Sequence, residues 1–400
     1  MSALSVKPVD AGTGSAPAVE HSSRLMLFLI PLVGFLCARG LDLMLFLQQT
    51  RVFPGTSLGG ELTAWDGGWY RRIVQTGYPA TVIATTHTGR LAKSAYAFFP
   101  TYPYLVRWIN AAIHLGYDTT AALLSLILGA AAAVGVAAVL RPYLGAATAA
   151  TASLFWSFLP TAPLLMMAYT EALFTLELTV FFVLLRRRRY SAIAAVLPLA
   201  GLTRGTLLPL AAVLGTHMIV RLREETSARE RWRAAVAPTG LTVLAVACSA
   251  LWPAYVGLRA GRWNAYLTVQ QAWARSRIVH PHWWQVIGYL NEPHLLFIRS
   301  WLVVGVAALA LTLALLALRS PLSAELKVFG LAYLLFLFTL TLIWTPFFRY
   351  LLPVFTLPAM GAVAARSIWS KVVVLMVLAV LQYWWIRFFV ADFPTAYASP

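Results

Sequence analysis

Residues 25–48, LMLFLIPLVGFLCARGLDLMLFLQ, form an apolar run with one arginine and one aspartate inside it. As a helix this stretch covers about 36 Å, enough to cross the roughly 30 Å hydrocarbon core of a bilayer. No basic segment precedes it and no small-residue cleavage site follows, so it reads as an uncleaved first helix and not a signal peptide. Arg24 holds its start in the cytoplasm under the positive-inside rule. Arg39 and Asp42 lie three apart on one helical face, near the outer end. They form either a local ion pair in the bundle interior or the border of a site.

The rest of the chain follows the same pattern. Of 400 residues, 60% are hydrophobic and 11% charged, against about 25% charged in a soluble domain. The net charge of +17 sits mostly at the ends of apolar runs. That placement accounts for it by topology and removes the reading of a nucleic-acid binder. Only Lys7, Lys93, Lys327 and Lys371 are lysines; every other basic residue is Arg. This skew hints at a bacterial source, and it suits phosphate recognition by guanidinium forks. Cys37 and Cys248 both lie in apolar runs and read as free thiols.

The expected fold class is all-α, a polytopic transmembrane helix bundle with about ten to eleven passes, half-helices included. Residues 1–23 are expected to be a disordered cytoplasmic tail, 24–390 a single transmembrane domain and 391–400 a short outer tail. Two polar stretches, 49–96 and 258–294, are expected as extracytoplasmic loops. Between them, Thr119–Leu140, Tyr143–Leu159 and Leu164–Leu185 read as spans, and Arg186–Arg189 as a cytoplasmic anchor. Two prolines, Pro100 and Pro103, read as breaks in a segment along the membrane or re-entering it. Residues 190–220 suit two half-helices broken at Gly201-Leu202-Thr203-Arg204-Gly205, with Arg204 facing a cavity.

The first outer loop carries Trp65-Asp66-Gly67-Gly68-Trp69-Tyr70-Arg71-Arg72-Ile73. Its arginines violate the positive-inside tendency and call for an anionic partner, phosphate above all. Asp66, Glu171, Arg204 and Arg349 all fall on the outer side of this topology. One carboxylate base, several arginines and a groove between apolar helices suit a lipid carrying a phosphate. If the headgroup is a sugar, Asp66 can deprotonate an attacking hydroxyl while Arg holds the leaving phosphate. Trp65, Trp69 and Tyr70 would offer flat surfaces to sugar rings, and Gly67 and Gly68 room for close approach. The bland reading of Asp66 is a helix cap. His282, beside His280, is expected on the acceptor side and not at a metal. No nucleotide-binding motif occurs, and no cofactor is required. No ligand cluster asks for a divalent metal, and the sequence leaves that ion open.

Four stretches then become specific. Trp65–Ile73 continues to Gly77-Tyr78; Ala97-Phe98-Phe99-Pro100 is followed by Pro103; Ala168-Tyr169-Thr170-Glu171-Ala172-Leu173-Phe174 comes next; and Arg204-Gly205 sits in a turn. In this order they resemble the GPI mannosyltransferase 2 (PIG-V-like) family of GT-C membrane glycosyltransferases, over about residues 39–210. The chain departs from that pattern at Gly68 and Trp69, where the family often has an acid and a His, and at Gly205-Thr206, where an Asn is missing.

The resemblance implies an inverting mannosyltransferase of the plasma membrane, using a polyprenyl-phosphate-linked donor outside the cytoplasm, with Asp66 as base. The donor phosphate falls to Arg204, with Arg71, Arg72 or Arg349 in support. Glu171 would orient the donor sugar or one of those arginines. The expected acceptor is a cell-wall glycolipid, glycan or protein. A flippase for lipid-linked sugars is the alternative; it needs no base and no one-sided site.

Overall fold

In the computed structural model the described residues are 16–52, 55, 57–272, 295–340 and 348–387. Among them the fold is helical, and the only β pairing is an isolated bridge between Thr85 and Leu91. Helix α1 runs Ala16–Val52, so the stretch expected to be disordered up to residue 23 is helical from Ala16 onward. The first polar loop is built, not loose. It holds α2 (Leu58–Leu62), α3 (Asp66–Thr76) and a 3-10 turn at Ala95–Ala97. Helix α4 (Thr101–Ile113) follows. Pro100 caps it and Pro103 sits in its first turn, where a missing N–H costs nothing, so these prolines start a helix instead of breaking one. Thirteen residues cannot cross a bilayer, and Trp108 is exposed on this helix, as suits an interfacial position.

Helix α5 (Tyr117–Ser157) combines two expected spans. The bend falls at Gly145 (φ 76°, ψ 165°), three residues beyond Pro142, because a glycine takes the positive φ that the reversal needs. After it the chain is irregular from 158 to 170, apart from a 3-10 turn at Ala162–Leu165, and nearly all of this stretch is buried. Helix α6 therefore starts at Glu171, seven residues later than expected, and ends at Arg186. Helices α7 (Tyr190–Thr203) and α8 (Leu208–Glu224) are the expected half-helices, joined at residues 204–207. Helix α9 (Ala228–Ala260) and the short α10 (Ala265–Gln271) lead to α11 (Leu295–Leu318) and α12 (Ala324–Leu340). Helix α13 (Thr356–Ala364) is a half-helix in place of a full return, and α14 (Ile368–Ile386) ends the described chain.

Contacts fix which ends lie together. Arg188, after α6, pairs with Glu224 at the end of α8 at 3.0 Å, and His217 of α8 pairs with Glu325 at the start of α12 at 2.9 Å. The opposite ends of α6, α7 and α12 then converge with α3 and the start of α5. Arg39 and Asp42 form their pair at 2.9 Å, fully buried. Arg39 also donates to the carbonyls of Ser157 (2.8 Å) and Ala162, so it caps the irregular stretch on the inside of the bundle. That is the structural reading of the pair. Among the described residues four helices, α1, α5, α9 and α14, are each long and apolar enough to cross a membrane. The main hydrophobic cluster runs through α1, α5, α6, α8, α12 and α13, led by Phe35, Trp156, Phe174, Phe181, Phe329 and Phe355, and two smaller ones gather around Tyr102 and Trp252.

Packing is closest where glycine permits it. A Cβ on Gly201 would lie 2.5 Å from the Cys248 carbonyl of α9, whereas one on Gly215 would meet nothing within 4 Å. Gly201→Ala should therefore lower stability by about 1–3 kcal/mol through overpacking, read as a fall in Tm of the purified protein, while Gly215→Ala should leave Tm unchanged.

Candidate functional site: a buried ring of two acids and two arginines

Asp66 opens α3. The residue before it, Trp65, adopts φ 53° and ψ −109°, a positive φ that is strained for a tryptophan. This sharp entry makes Asp66 the first helical residue and not the cap, and Trp65 makes no capping bond. Asp66 is buried, its side chain only 10% exposed. Oδ2 accepts from Arg349 Nη1 at 2.6 Å. Gly67 fills a packing role: a Cβ there would meet Ala168 at 3.1 Å, and Tyr117 donates to its carbonyl at 2.6 Å. Gly68 faces open space. Of the two glycines read as room for substrate, only Gly68 leaves room.

Glu171 opens α6, where the helix dipole favours an acid. It is 1% exposed, and its Oε1 lies 3.0 Å from Arg204 Nη1 and 3.7 Å from Arg349 Nε. Arg204 caps α7 in extended backbone (φ −158°, ψ 143°), because the half-helix stops there. Its guanidinium stacks 4.4 Å from the Tyr350 ring centre. Arg349 stacks on Tyr350 at 5.1 Å and on Tyr169 at 5.3 Å. The four charges alternate as Asp66, Arg349, Glu171, Arg204, an open ring with no ion pair between Arg204 and Asp66 among the described residues, and sum to zero. All four side chains are at most 10% exposed. Arg204 Nη1, Arg349 Nε and Glu171 Oε2 are buried without a hydrogen-bond partner. Arg204 Nη1 meets Glu171 Oε1 as an ion pair without hydrogen-bond geometry, so both guanidiniums keep N–H donors that no hydrogen bond engages.

The supports are local. Thr203 donates to Glu177 at 2.8 Å and Tyr333 to Thr206 at 3.2 Å, satisfying the 204–207 break. Phe99 of the Ala-Phe-Phe-Pro stretch packs against Gly205. The Ala168 N–H donates to the Leu62 carbonyl at 2.8 Å, tying α2 to the stretch before Glu171.

The remaining expected residues lie elsewhere. Arg71 pairs with Asp118 at the start of α5 and donates to Thr63 at 2.7 Å, so it fastens α3 to α5 and does not join the ring. Arg72 is exposed and lies over Trp69 at 4.7 Å. Trp69 stacks on Phe98 at 5.7 Å. Tyr70 is buried edge-on against Phe98 and Tyr102 and presents no free face to a sugar. Trp65 packs partly buried against the main core. His282 lies outside the described residues, as do His280 and most of the second loop. Tyr350, which both arginines touch, is not among the expected site residues; its place beside Arg349 is the sequence signal that points to it. Among the described residues no group of three or more His, Cys, Asp or Glu side chains gathers to hold a metal.

No family model matches the chain, and no curated protein matches it. Among solved structures it is similar to the oligosaccharyltransferase of Archaeoglobus fulgidus in its apo form, at 14% identity and TM-score 0.49, over 88% of this chain and 56% of that one. A second structure, that oligosaccharyltransferase, AglB, in complex with an inhibitory peptide and a dolichol-phosphate, aligns at 12% identity and TM-score 0.48, over 91% and 56%. The chain thus spans about half the length of these structures.

Removing Glu171 leaves two buried guanidiniums facing one carboxylate. Glu171→Gln is expected to cost about 3–5 kcal/mol, the usual effect of breaking a buried charge pair. Adding Arg204→Gln should recover part of it, as seen in a double-mutant cycle on thermal unfolding. Additive losses would mean the two side chains do not share their charge.

Proposed function

We propose that this chain is an integral membrane glycosyltransferase of the GT-C type. It moves a sugar, mannose by the family resemblance, from a polyprenyl-phosphate-linked donor to a glycolipid, glycan or protein hydroxyl. The observation that carries this reading is the buried ring: one acid at a helix start, two arginines with spare donors, and a second acid holding them in place. Irregular backbone at membrane depth is tolerated where it lines a cavity, and residues 158–170 bring it next to Glu171. The four-Arg anchor Arg186–Arg189 follows the opposite end of α6. The positive-inside rule therefore favours a site on the extracytoplasmic side, and the proposed location is the plasma membrane of a bacterial cell.

In this mechanism the donor phosphate enters between Arg204 and Arg349 and takes up their unused N–H groups. Arg349 exchanges the Asp66 carboxylate for a phosphate oxygen. Asp66 Oδ2 is then free to accept the proton of the acceptor hydroxyl. The acceptor oxygen attacks the anomeric carbon as its bond to the phosphate oxygen breaks, with inversion. The bonding pair stays on the lipid phosphate, whose added charge the two arginines already face. Glu171 keeps both guanidiniums oriented throughout.

Purified protein, labelled polyprenyl-phosphate mannose and a membrane extract test this directly. Asp66→Asn should lower transfer by about 10²–10⁴-fold, the range of general-base catalysis, with normal membrane insertion. Arg204→Ala should raise the donor KM and lower kcat. Full activity in Asp66→Asn would remove it as the base, and label moving only between leaflets would point to a flippase.

A further inference from the structure

A second polar cleft, of about 230 Å³, opens at the end of the bundle opposite the ring, between α5, α6, α8 and α12. Arg186, Arg188 and Arg221 line it, together with Glu224, His217 and Glu325. Its acids are already engaged. Glu325 accepts from His217 Nδ1 at 2.9 Å, while His217 Nε2 meets the Tyr190 hydroxyl at 3.1 Å. One oxygen of Glu224, Oε2, serves both Arg188 and Arg221. Among the described residues Arg186 makes no ion pair. Arg221 has a second carboxylate in Glu225 at 3.1 Å, so the guanidinium of the cleft left without a carboxylate is Arg186.

Retention of the chain by positive charge needs no cavity and no buried arginine. Arg187 and Arg189 fit that role: all four arginines of the run are exposed, but only Arg186 and Arg188 line the cleft. Arg221 does not fit it. Its side chain is only 14% exposed, and its Nε is buried with no hydrogen-bond partner. Arg188 holds a positive φ of 55°, which ends α6 and turns the chain back toward Glu224. The inner wall is apolar, with Phe182, Val183 and Val220 behind the guanidiniums. On the same two helices Val180 and Ile219 are exposed to the surroundings. Charge at the mouth, grease behind and a helix-lined slot match the geometry of a lipid headgroup site.

We propose that this cleft binds the phosphate of an anionic phospholipid. Arg186 and Arg188 clasp its oxygens, Glu224 swings outward, and the acyl chains follow α6 and α8. The site is independent of the ring and of the reaction proposed there.

The test reconstitutes the full chain in discs of phosphatidylcholine with phosphatidylglycerol, then releases it into detergent for native mass spectrometry. Phosphatidylglycerol should stay bound in preference to phosphatidylcholine. Arg186→Gln and Arg188→Gln should each lower its retention about tenfold, as expected for one charge-assisted contact. Arg189→Gln should leave retention unchanged. Equal loss in Arg189→Gln would reduce the effect to general surface charge and overturn the site, as would undiminished retention in the cleft variants. Inorganic phosphate that raises Tm through these same arginines, without any lipid retained, would overturn the lipid and name free phosphate as the ligand.

Discussion

Glu171 sits between two arginines that arrive from distant parts of the chain, and the centre of the bundle depends on that arrangement. Burying a guanidinium is expensive unless a carboxylate meets it. Arg204 is brought in by a helix that stops early, Arg349 by the stretch after α12, and Asp66 by a strained turn at Trp65. Each is a local irregularity that would be costly alone. Together they neutralise one another, and the aromatic rings of Tyr169 and Tyr350 flank the cations. The geometry thus needs all four charges, which is a strong condition for any substitution in this chain.

Much of the architecture was legible because membrane helices advertise themselves by length and by where arginine collects. The broken pair α7 and α8 could be read from Gly201, Pro209 and the parity of the flanking charges. The end of the bundle on which Asp66, Glu171, Arg204 and Arg349 meet followed from the same count. The expected spans divide between Leu140 and Tyr143, at Arg141, whereas the reversal falls at Gly145, where glycine supplies the positive φ. The late start of α6 was hidden because residues 164–170 are as apolar as a helix, yet the bond from Ala168 to Leu62 holds them in irregular form, just after the carbonyls of Ser157 and Ala162 that Arg39 ties down.

Within the site, sequence adjacency misled. Arg71 and Arg72 are five and six residues from Asp66, but α3 turns them outward onto Asp118 and Trp69. A helix of eleven residues separates faces that a written motif runs together. Tyr70 was a buried packing residue for the same reason. The partner of Asp66 lay 283 residues away; topology put Arg349 on the same side, but only the fold shows that it, and not Arg71 or Arg72, takes the Asp66 carboxylate.

The shortness of α6 and α7 has a consequence for depth. Sixteen and fourteen residues rise only about 24 and 21 Å, against roughly 30 Å of hydrocarbon. If the arginine anchor lies at one surface, the acid–arginine ring lies several ångströms beneath the other. The chain then holds its charges where water is scarce and lets the bilayer thin, or a wet funnel form, above them. A ligand tethered to the leaflet by its own tail reaches that level at little cost. A freely dissolved one must shed its hydration shell on the way down. Two missing helical turns would thus select, by depth alone, for molecules that already belong to the membrane.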